Sequence, residues 1–313
     1  MSEQSTAARA FGLALRLHDG LTVTGLEVAP AEPIDASTSV RLVPAELLRA
    51  PWGGATPSRV RELWHHGELL MTIDHDAAVG FLVQTPFHGS FLVCADGTAV
   101  LCAPLPEAGT SWHGLLLGQV LPIAATVCGF EVFHAAAVAI DGGAVLVSAA
   151  SGVGKSTLIA HLVQRGALLV ADDAVAVELV DGRLLAHPGP PLLHLFADAA
   201  AWLQGSRLRP VDDGMRAKRT LLAPSSARPL PVRAFYMLER GEPGAGPELR
   251  DGSVRPTELL GSTLTRAVRT SERLRRQLDV CAALAAKVPV RRLRAGEGPG
   301  RAASALWDDL CLH

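Results

Sequence analysis

Lys155, Ser156, Asp172 and Asp173 are the residues whose types and spacing could do chemistry. Lys155 and Ser156 close the run Ala149-Ala150-Ser151-Gly152-Val153-Gly154-Lys155-Ser156. It fits the pattern G-x-x-x-x-G-K-[ST] at every fixed position but the first, where Ala149 stands for glycine. Such a loop holds phosphate because small residues let backbone N–H groups converge on an anion while the next helix offers its N-terminus. The expected nucleotide-binding stretch is therefore Ala149 through Thr157, with Lys155 at the β- and γ-phosphates and the Ser156 hydroxyl on Mg2+. Alanine can take the first position only at negative φ, so the loop is expected to start differently from a glycine loop. Asp172 and Asp173 follow Lys155 by 17 and 18 residues. One carboxylate there could hold Mg2+ and the other could accept a proton from an attacking hydroxyl. Adjacent strand residues face opposite sides, so the two are expected to take different roles.

The elements that must position these residues are legible around them. Ala144 to Val147 is an apolar run that reads as a strand, and the loop follows it directly. An apolar-periodic segment to about Gln164 reads as a helix, and Ala167 to Ala171 reads as a second strand ending in the two carboxylates. The blander alternatives are a Gly/Ser turn with a chance lysine and an Asp pair that merely opens a turn. Strand context on both sides favours the phosphate loop. Upstream, Val132 to Ile140 reads as a strand, and the turn Asp141-Gly142-Gly143 leads into the loop strand.

The rest of the chain divides into two parts. Residues 1–10 are small and polar and are expected to be loose. From Phe11 to about Leu105, short β segments alternate with Gly-, Pro- and Asp-containing turns, among them the hairpin signal Asp96-Gly97. This predicts a small β-rich N-terminal domain over 1–110 and an α/β, mixed-sheet domain over 111–313. Ser111 to Val127 suits a buried helix that Pro122 would kink or break. Residues 205–230 read as a surface loop and Arg233 to Leu238 as a strand. Two helices are expected near 256–286, with strand VPVRRL and a last helix at about 301–310. His65, His66 and His75, beside Asp74 and Asp76, fit no standard metal-ligand spacing. Arg266, Arg269, Arg273 and Arg276 recur at helical steps and read as a solvated face.

Composition excludes several classes. The formal charge of −2 over 313 residues gives no field that would favour nucleic acid or an anionic membrane. The five cysteines form no C-x-x-C or zinc spacing and read as reduced thiols of a cytoplasmic protein. The start, MSEQSTAARAFGLALRL, makes a poor signal peptide, and no apolar run is long enough to span a bilayer.

The pattern of His134, Asp141-Gly142, an apolar strand, Ser151-Gly152-Val153-Gly154-Lys155-Ser156, Gln164-Arg165-Gly166 and Ala171-Asp172-Asp173 resembles the catalytic domain of the HPr kinase/phosphorylase family. These are bacterial serine kinases related in fold to ATP-dependent phosphoenolpyruvate carboxykinase. The resemblance implies a P-loop, carboxykinase-like fold for the second domain, with ATP and Mg2+ as cofactors. It implies that Lys155 binds phosphates, that Ser156 and Asp172 serve the metal, that Asp173 accepts the proton, and that His134 lies near the transferred phosphate. It also suggests a homo-oligomer. After the Asp pair the chain runs His187-Pro188-Gly189-Pro190-Pro191-Leu192-Leu193-His194-Leu195, where the family has an Ile-Arg-Gly-Leu-Gly-like run with a metal-binding Glu. In this the chain resembles a divergent branch, some members of which accompany lasso-type peptide biosynthesis and phosphorylate a peptide. Lys218 and Arg219, in a predicted loop, could clamp phosphate or acceptor, or be a solvated basic pair.

The expected function is therefore an ATP- and Mg2+-dependent kinase acting on a serine or threonine hydroxyl of a protein or precursor peptide. Two alternatives remain. Ala149 and the missing downstream Glu would suit a nucleotide-binding regulatory or scaffold protein without transfer activity. The same fold could also serve a small-molecule kinase.

Overall fold

The computed structural model describes residues 5–26, 38–52, 57–201, 207–212, 218–242, 244–251, 254–296 and 298–311. The chain forms two compact units. The first runs to Phe130 and includes Thr265–Thr270, and the second holds the remainder of the described chain.

The first unit is built on eight strands: β1 (Thr6–Ala10), β2 (Leu13–Leu17), β3 (Thr38–Leu42), β4 (Ser58–His65), β5 (Glu68–Asp76), β6 (Gly80–Thr85), β7 (Gly89–Cys94) and β8 (Ala99–Pro104). Their order is β1-β2-β3-β8-β7-β6-β5-β4, with β5 to β8 an antiparallel meander. The short helix α1 (Ala45–Arg49) buries Leu48 against Leu82, Leu92 and Ala103. Helical residues Trp112–Leu115 (α2) and Leu121–Val127 (α3) flank a π-helical turn at Leu116–Val120, and this stretch packs on β7 and clusters with the first unit. Pro122 follows the π-helical turn within one continuous helical run, and the wider turn takes up its ring and missing N–H, so the expected break becomes a change of helical pitch. One expectation fails here, and one strand had not been anticipated. Residues 6–10 are not loose but pair with β2 throughout, burying Ala8 and Ala10. Strand β4 has no alternating pattern and is mostly exposed, so its pairing with β5 left no periodic signal.

The second unit contains β9 (Glu131–Phe133), β10 (Ala135–Ile140), β11 (Gly143–Ala149), β12 (Leu168–Ala171), β13 (Val175–Val180), β14 (Arg183–His187), β15 (Leu192–Leu195), β16 (Arg209–Val211), β17 (Arg219–Leu222), β18 (Leu230–Glu239), β19 (Glu248–Asp251) and β20 (Val290–Arg294). Its helices are α4 (Lys155–Gln164), α5 (Ala197–Ala201), α6 (Pro256–Leu260), α7 (Ser271–Lys287) and α8 (Pro299–Cys311). The large sheet runs β12-β10-β11-β18-β14-β13-β9, with β20 beside β18 and β19 beside β20. It is mixed: β11/β18 and β18/β20 are parallel, the other pairs antiparallel.

The apolar run of β11 is explained by burial on both faces. Val145 and Val147 pack with Leu158, Ile159 and Leu162 of α4 and Leu306 of α8. Ala144 and Leu146, one residue out of phase, pack with Val280, Cys281 and Leu284 of α7. The Tyr236 hydroxyl donates to Asp309 at 2.5 Å and Arg291 pairs with the same carboxylate, which ties α8 to the sheet.

Residues 205–230 were expected to be loop. Their described part instead forms β16 and β17, which join β15 in a separate three-stranded sheet. The four arginines do not share one helical face. Arg266 and Arg269 precede α7, and Arg273 is buried against Glu131. No helix among the described residues is long and apolar enough to cross a membrane, and all five cysteines are free of disulfides.

Candidate active site

Sheet topology gathers the chemistry at one end of β11. Strand β10 runs antiparallel to both β11 and β12, with Ala135 opposite Ser148 and Ala137 opposite Ala171. The residue before β10, the loop after β11 and the residues after β12 therefore share one edge of the sheet. These are His134, Ala150 to Gly154, and Asp172 with Asp173. Strand β18, parallel to β11, brings Arg240 to the same edge, since Leu238 is opposite Ala149.

The loop has the conformation its residue types imply. Gly152 and Gly154 sit at φ 78° and 106°, and a Cβ at either would meet nothing within 4 Å. Backbone conformation, not lack of space, calls for glycine there. Ala149 is the last residue of β11, paired in register with Leu238, and is not among the positive-φ residues. Alanine is tolerated at that position because the strand continues through it. Val153 N–H donates to the Ala150 carbonyl at 3.3 Å, and Arg240 donates to the Gly152 carbonyl at 3.2 Å. Ser151 and Val153 lie within the turn, and Thr157 in the first turn of α4.

Lys155 is buried at the start of α4, and its ammonium faces both carboxylates. Nζ lies 2.5 Å from Asp173 Oδ1 and 3.5 Å from Asp172 Oδ1. Ser156 Oγ donates to Asp172 Oδ1 at 3.0 Å. The two aspartates were expected to face apart. They do not, because β12 ends at Ala171 and Asp173 adopts φ 62°. Ala174 N–H donates to the Asp172 carbonyl at 2.8 Å, closing a tight three-residue turn around Asp173. A non-glycine residue there is strained, and such strain gathers at functional sites. Asp172 is closed off, with 1% of its side chain exposed, whereas Asp173 keeps 45%.

Electrostatics follow this geometry. Burial pushes the Asp173 carboxyl up, but Lys155, aided by Lys218 and His134, more than offsets it and holds it below the usual carboxylate range. Burial pushes Lys155 down, and Asp172 and Asp173 outweigh it, so its ammonium is held above the ordinary lysine value.

His134 is fixed through its backbone. Its N–H donates to the Ser262 carbonyl at 2.6 Å, and its own carbonyl accepts from Ser148 Oγ at 3.1 Å. Lys218 stands just before β17 with Nζ 5.4 Å from the Phe196 ring centroid, and it acts on Asp173 electrostatically. Arg219 is the first residue of β17, exposed and opposite Leu195, so the expected loop pair is split by the strand.

Sequence reasoning assigned no role to His194, Arg240, Ser148 or Ser262. His194 lies in β15 with Leu193 and Leu195 buried on either side, and its N–H donates to Asp172 Oδ2 at 3.3 Å. The alternation Leu-His-Leu was the available signal. One ligand atom each from Asp172, Asp173 and His194 lie within 4.8 Å of one another. Among the described residues these form the one group of His, Cys, Asp and Glu with metal-binding proximity. The histidines near residue 70 do not converge: His65 and His66 meet edge to face, and His75 stacks on Phe81. His187 pairs with Glu178 at 3.0 Å.

The segment that carries these residues is similar to known proteins. Residues 127–198 match the family model described as the HPr Serine kinase C-terminal domain. HPr kinase/phosphorylases of Lacticaseibacillus casei (strain BL23) and Lacticaseibacillus paracasei are 45% identical over 102 residues, 32% of this chain and 32% of theirs. The chain thus spans about a third of the length of the curated relatives it matches. The HPr(Ser) kinase/phosphatase from Coxiella burnetii aligns at 16% identity over 58% of this chain and 97% of its own, with a TM-score of 0.32. The chain is HPr-kinase-like across the segment that carries the loop and the carboxylate pair.

Proposed function

We propose that this HPr-kinase-like chain is an ATP- and Mg2+-dependent kinase that phosphorylates a serine or threonine hydroxyl of a protein or precursor peptide. The observation that carries the reading is the Lys155 ammonium held between Asp173 at 2.5 Å and Asp172 at 3.5 Å, directly behind a phosphate loop. A generic nucleotide site needs the lysine. It does not need a strained, half-exposed carboxylate beside it.

In this reading the loop 149–157 cradles the ATP phosphates, and Lys155 exchanges its carboxylate partners for phosphate oxygens. Freed from Lys155, Asp173 accepts the proton of the acceptor hydroxyl. The hydroxyl oxygen bonds to the γ-phosphorus while the bond to the β,γ-bridging oxygen breaks, leaving ADP. The group sits at the exposed sheet edge, so Asp173 can meet an acceptor presented from outside. In this reading His134 and Lys218, which both act electrostatically on Asp173, balance charge on the transferred group. The oxygens of Ser156 and Asp172 fit a hard divalent ion, which would neutralise phosphate charge when bound. A cytoplasmic location and a homo-oligomer belong to the same reading, with the β-rich first unit serving either the acceptor or assembly.

The test is transfer from γ-labelled ATP to candidate proteins and peptides by the wild-type chain, Lys155→Ala and Asp173→Asn. Label should move only with the wild type. Nucleotide binding with no label on any acceptor would leave the non-catalytic, regulatory reading in its place.

A further inference from the structure

We propose that Phe196 is a positioning residue of the phosphotransfer site: its ring seats the Lys218 ammonium and holds that charge where the transferred phosphoryl group would pass. The register of the small sheet sets this up. Leu195 of β15 lies opposite Arg219 of β17, so the next step along the antiparallel ladder sets Phe196 opposite Lys218. Directly opposed residues share a face, and His194, two positions before Phe196, lies on the same one. That face looks onto the carboxylate pair, since a ring nitrogen of His194 lies within 4.8 Å of a carboxylate oxygen of each of Asp172 and Asp173. The opposite face of β15 sends Leu193 and Leu195 into the core. Phe196 is left 56% exposed, and Lys218 Nζ stands 5.4 Å from its ring centroid. Burial raises the Asp173 carboxyl, and Lys155, Lys218 and His134 outweigh it, which puts the seated ammonium within electrostatic reach of the cluster.

The kind of seat matters. A carboxylate would hold Lys218 by cancelling its charge and would compete with phosphate for it. An aromatic face attracts an ammonium through its quadrupole and carries no net charge, so the lysine keeps its full unit of charge. An exposed contact of this sort is also weak, so the ammonium can leave the ring readily. Among the described residues Lys218 closes no salt bridge, and its side chain is half-buried. Lys155 differs, because it must first exchange Asp173 and Asp172 for phosphate oxygens. Lys218 thus offers a charge that needs no such exchange, and Phe196 fixes where it is offered. Without the ring, the flexible four-carbon stem of Lys218 would spread that charge over many rotamers.

The inference rests on the phosphotransfer reading for what Lys218 faces, but its test needs no acceptor. ADP with Mg2+ is titrated into the full chain with and without aluminium fluoride, which mimics the phosphoryl group in transfer. Calorimetry gives the ratio of the two affinities, and circular dichroism checks the fold of each variant. Lys218→Met should lower that ratio about 10²-fold, the scale for removing one preorganised donor from a transition state, with the affinity for ADP alone held within a few-fold. Phe196→Leu should lower it about two- to fivefold, the weight of an exposed cation–π contact. Phe196→Trp, which keeps an aromatic face, should recover the ratio. Added to Lys218→Met, Phe196→Leu should change nothing further, because the ring acts through the lysine. An unchanged ratio in Lys218→Met or in a folded Phe196→Leu chain would overturn the seat. So would a Phe196→Trp chain no better than Phe196→Leu, or an equal loss from Phe196→Leu with and without Lys218. If aluminium fluoride adds nothing to the wild type, the phosphotransfer reading falls and takes the inference with it. A wild-type gain that the variants leave unmoved removes the inference alone.

Discussion

Two of the ion-paired groups in the second unit, one at Arg273 and one at Lys155, are built for different ends. Glu131 and Arg273 form a closed pair. Both side chains are buried, and the guanidinium meets the carboxylate at two points, Nε to Oε2 at 3.1 Å and Nη2 to Oε1 at 2.6 Å. The pair fastens α7 to β9, and Arg276 adds a second positive charge near the same carboxylate. Around Lys155 one ammonium faces two carboxylates, one closed off and one nearly half exposed, on a strained turn at an accessible sheet edge. The first pair is closed to any ligand by burial. The second carries surplus charge and a partner that can be exchanged, which suits the phosphotransfer site proposed above.

The largest expected difference is in catalysis. Asp173→Asn should lower kcat by about 10²- to 10⁴-fold, the usual worth of a positioned general base, while nucleotide affinity measured by calorimetry stays within a few-fold. Arg273→Met should do the reverse. It strands the Glu131 carboxylate in the interior and should cost about 3–5 kcal/mol of unfolding free energy, read by urea denaturation, with kcat per folded molecule retained. The double variant Glu131→Met/Arg273→Met should recover most of that loss. If Arg273→Met instead silences transfer in a fully folded chain, the contrast between the two groups fails.

A smaller effect separates them by pH. Asp173 titrates below its ordinary value in the folded chain, so its contribution to stability is present above the unfolded pKa of about 3.9 and is lost as pH falls through the lower folded value. Burial raises Glu131, against the opposing pull of Arg273, so the folded state favours its protonated form. That contribution is complete below the unfolded pKa of about 4.3 and is lost as pH rises through the raised value. Denaturation midpoints followed across pH should fall less steeply on the acid side in Asp173→Asn, the other lowered carboxylates keeping part of the decline. Glu131→Gln should lose the decline on the other side. The Asp173 effect will be the weaker because solvent screens its half-exposed carboxylate.

Much of the site could be read from the sequence because its parts are local. Residues 144–173 are one strand, one loop, one helix and one strand, and each is marked by short-range rules: apolar runs, Gly152 and Gly154, and a helical period. What the sequence could not convey depends on partners far away in the chain. The left-handed turn that brings Asp173 round to Lys155 has no signature when the residue is Asp and not Gly. His194 reaches the site only because β15 pairs with β17, and β17 lies in a stretch whose Arg, Pro and Gly content looks like loop. Arg273 looked like one of four arginines on a wet face, since its partner Glu131 stands 142 residues earlier. Strand β1 was missed because Thr-Ala-Ala-Arg-Ala has no large apolar side chain to mark the buried face.

The smallest effect is also the most discriminating for His134. Ser148 Oγ lies 3.1 Å from the His134 carbonyl and 3.0 Å from Ser262 Oγ, while the Ser262 carbonyl accepts from His134 N–H. Ser148 Oγ is the donor to both acceptors, so its one proton is shared between the His134 carbonyl and Ser262 Oγ. The phosphate-loop strand thus holds the residue before β10 through the shared Ser148 hydroxyl. Ser148→Ala should cost about 1 kcal/mol of stability, the worth of a purely structural bond. If His134 serves the transferred phosphate, the same variant should also lower kcat more than it raises KM for ATP, because it shifts His134 without touching the loop's backbone. Ser262→Ala should then add little to Ser148→Ala, since Ser148→Ala already removes the shared donor. Additive losses of stability with an unchanged kcat would reduce His134 to a strand residue and leave catalysis to Lys155 and the two aspartates.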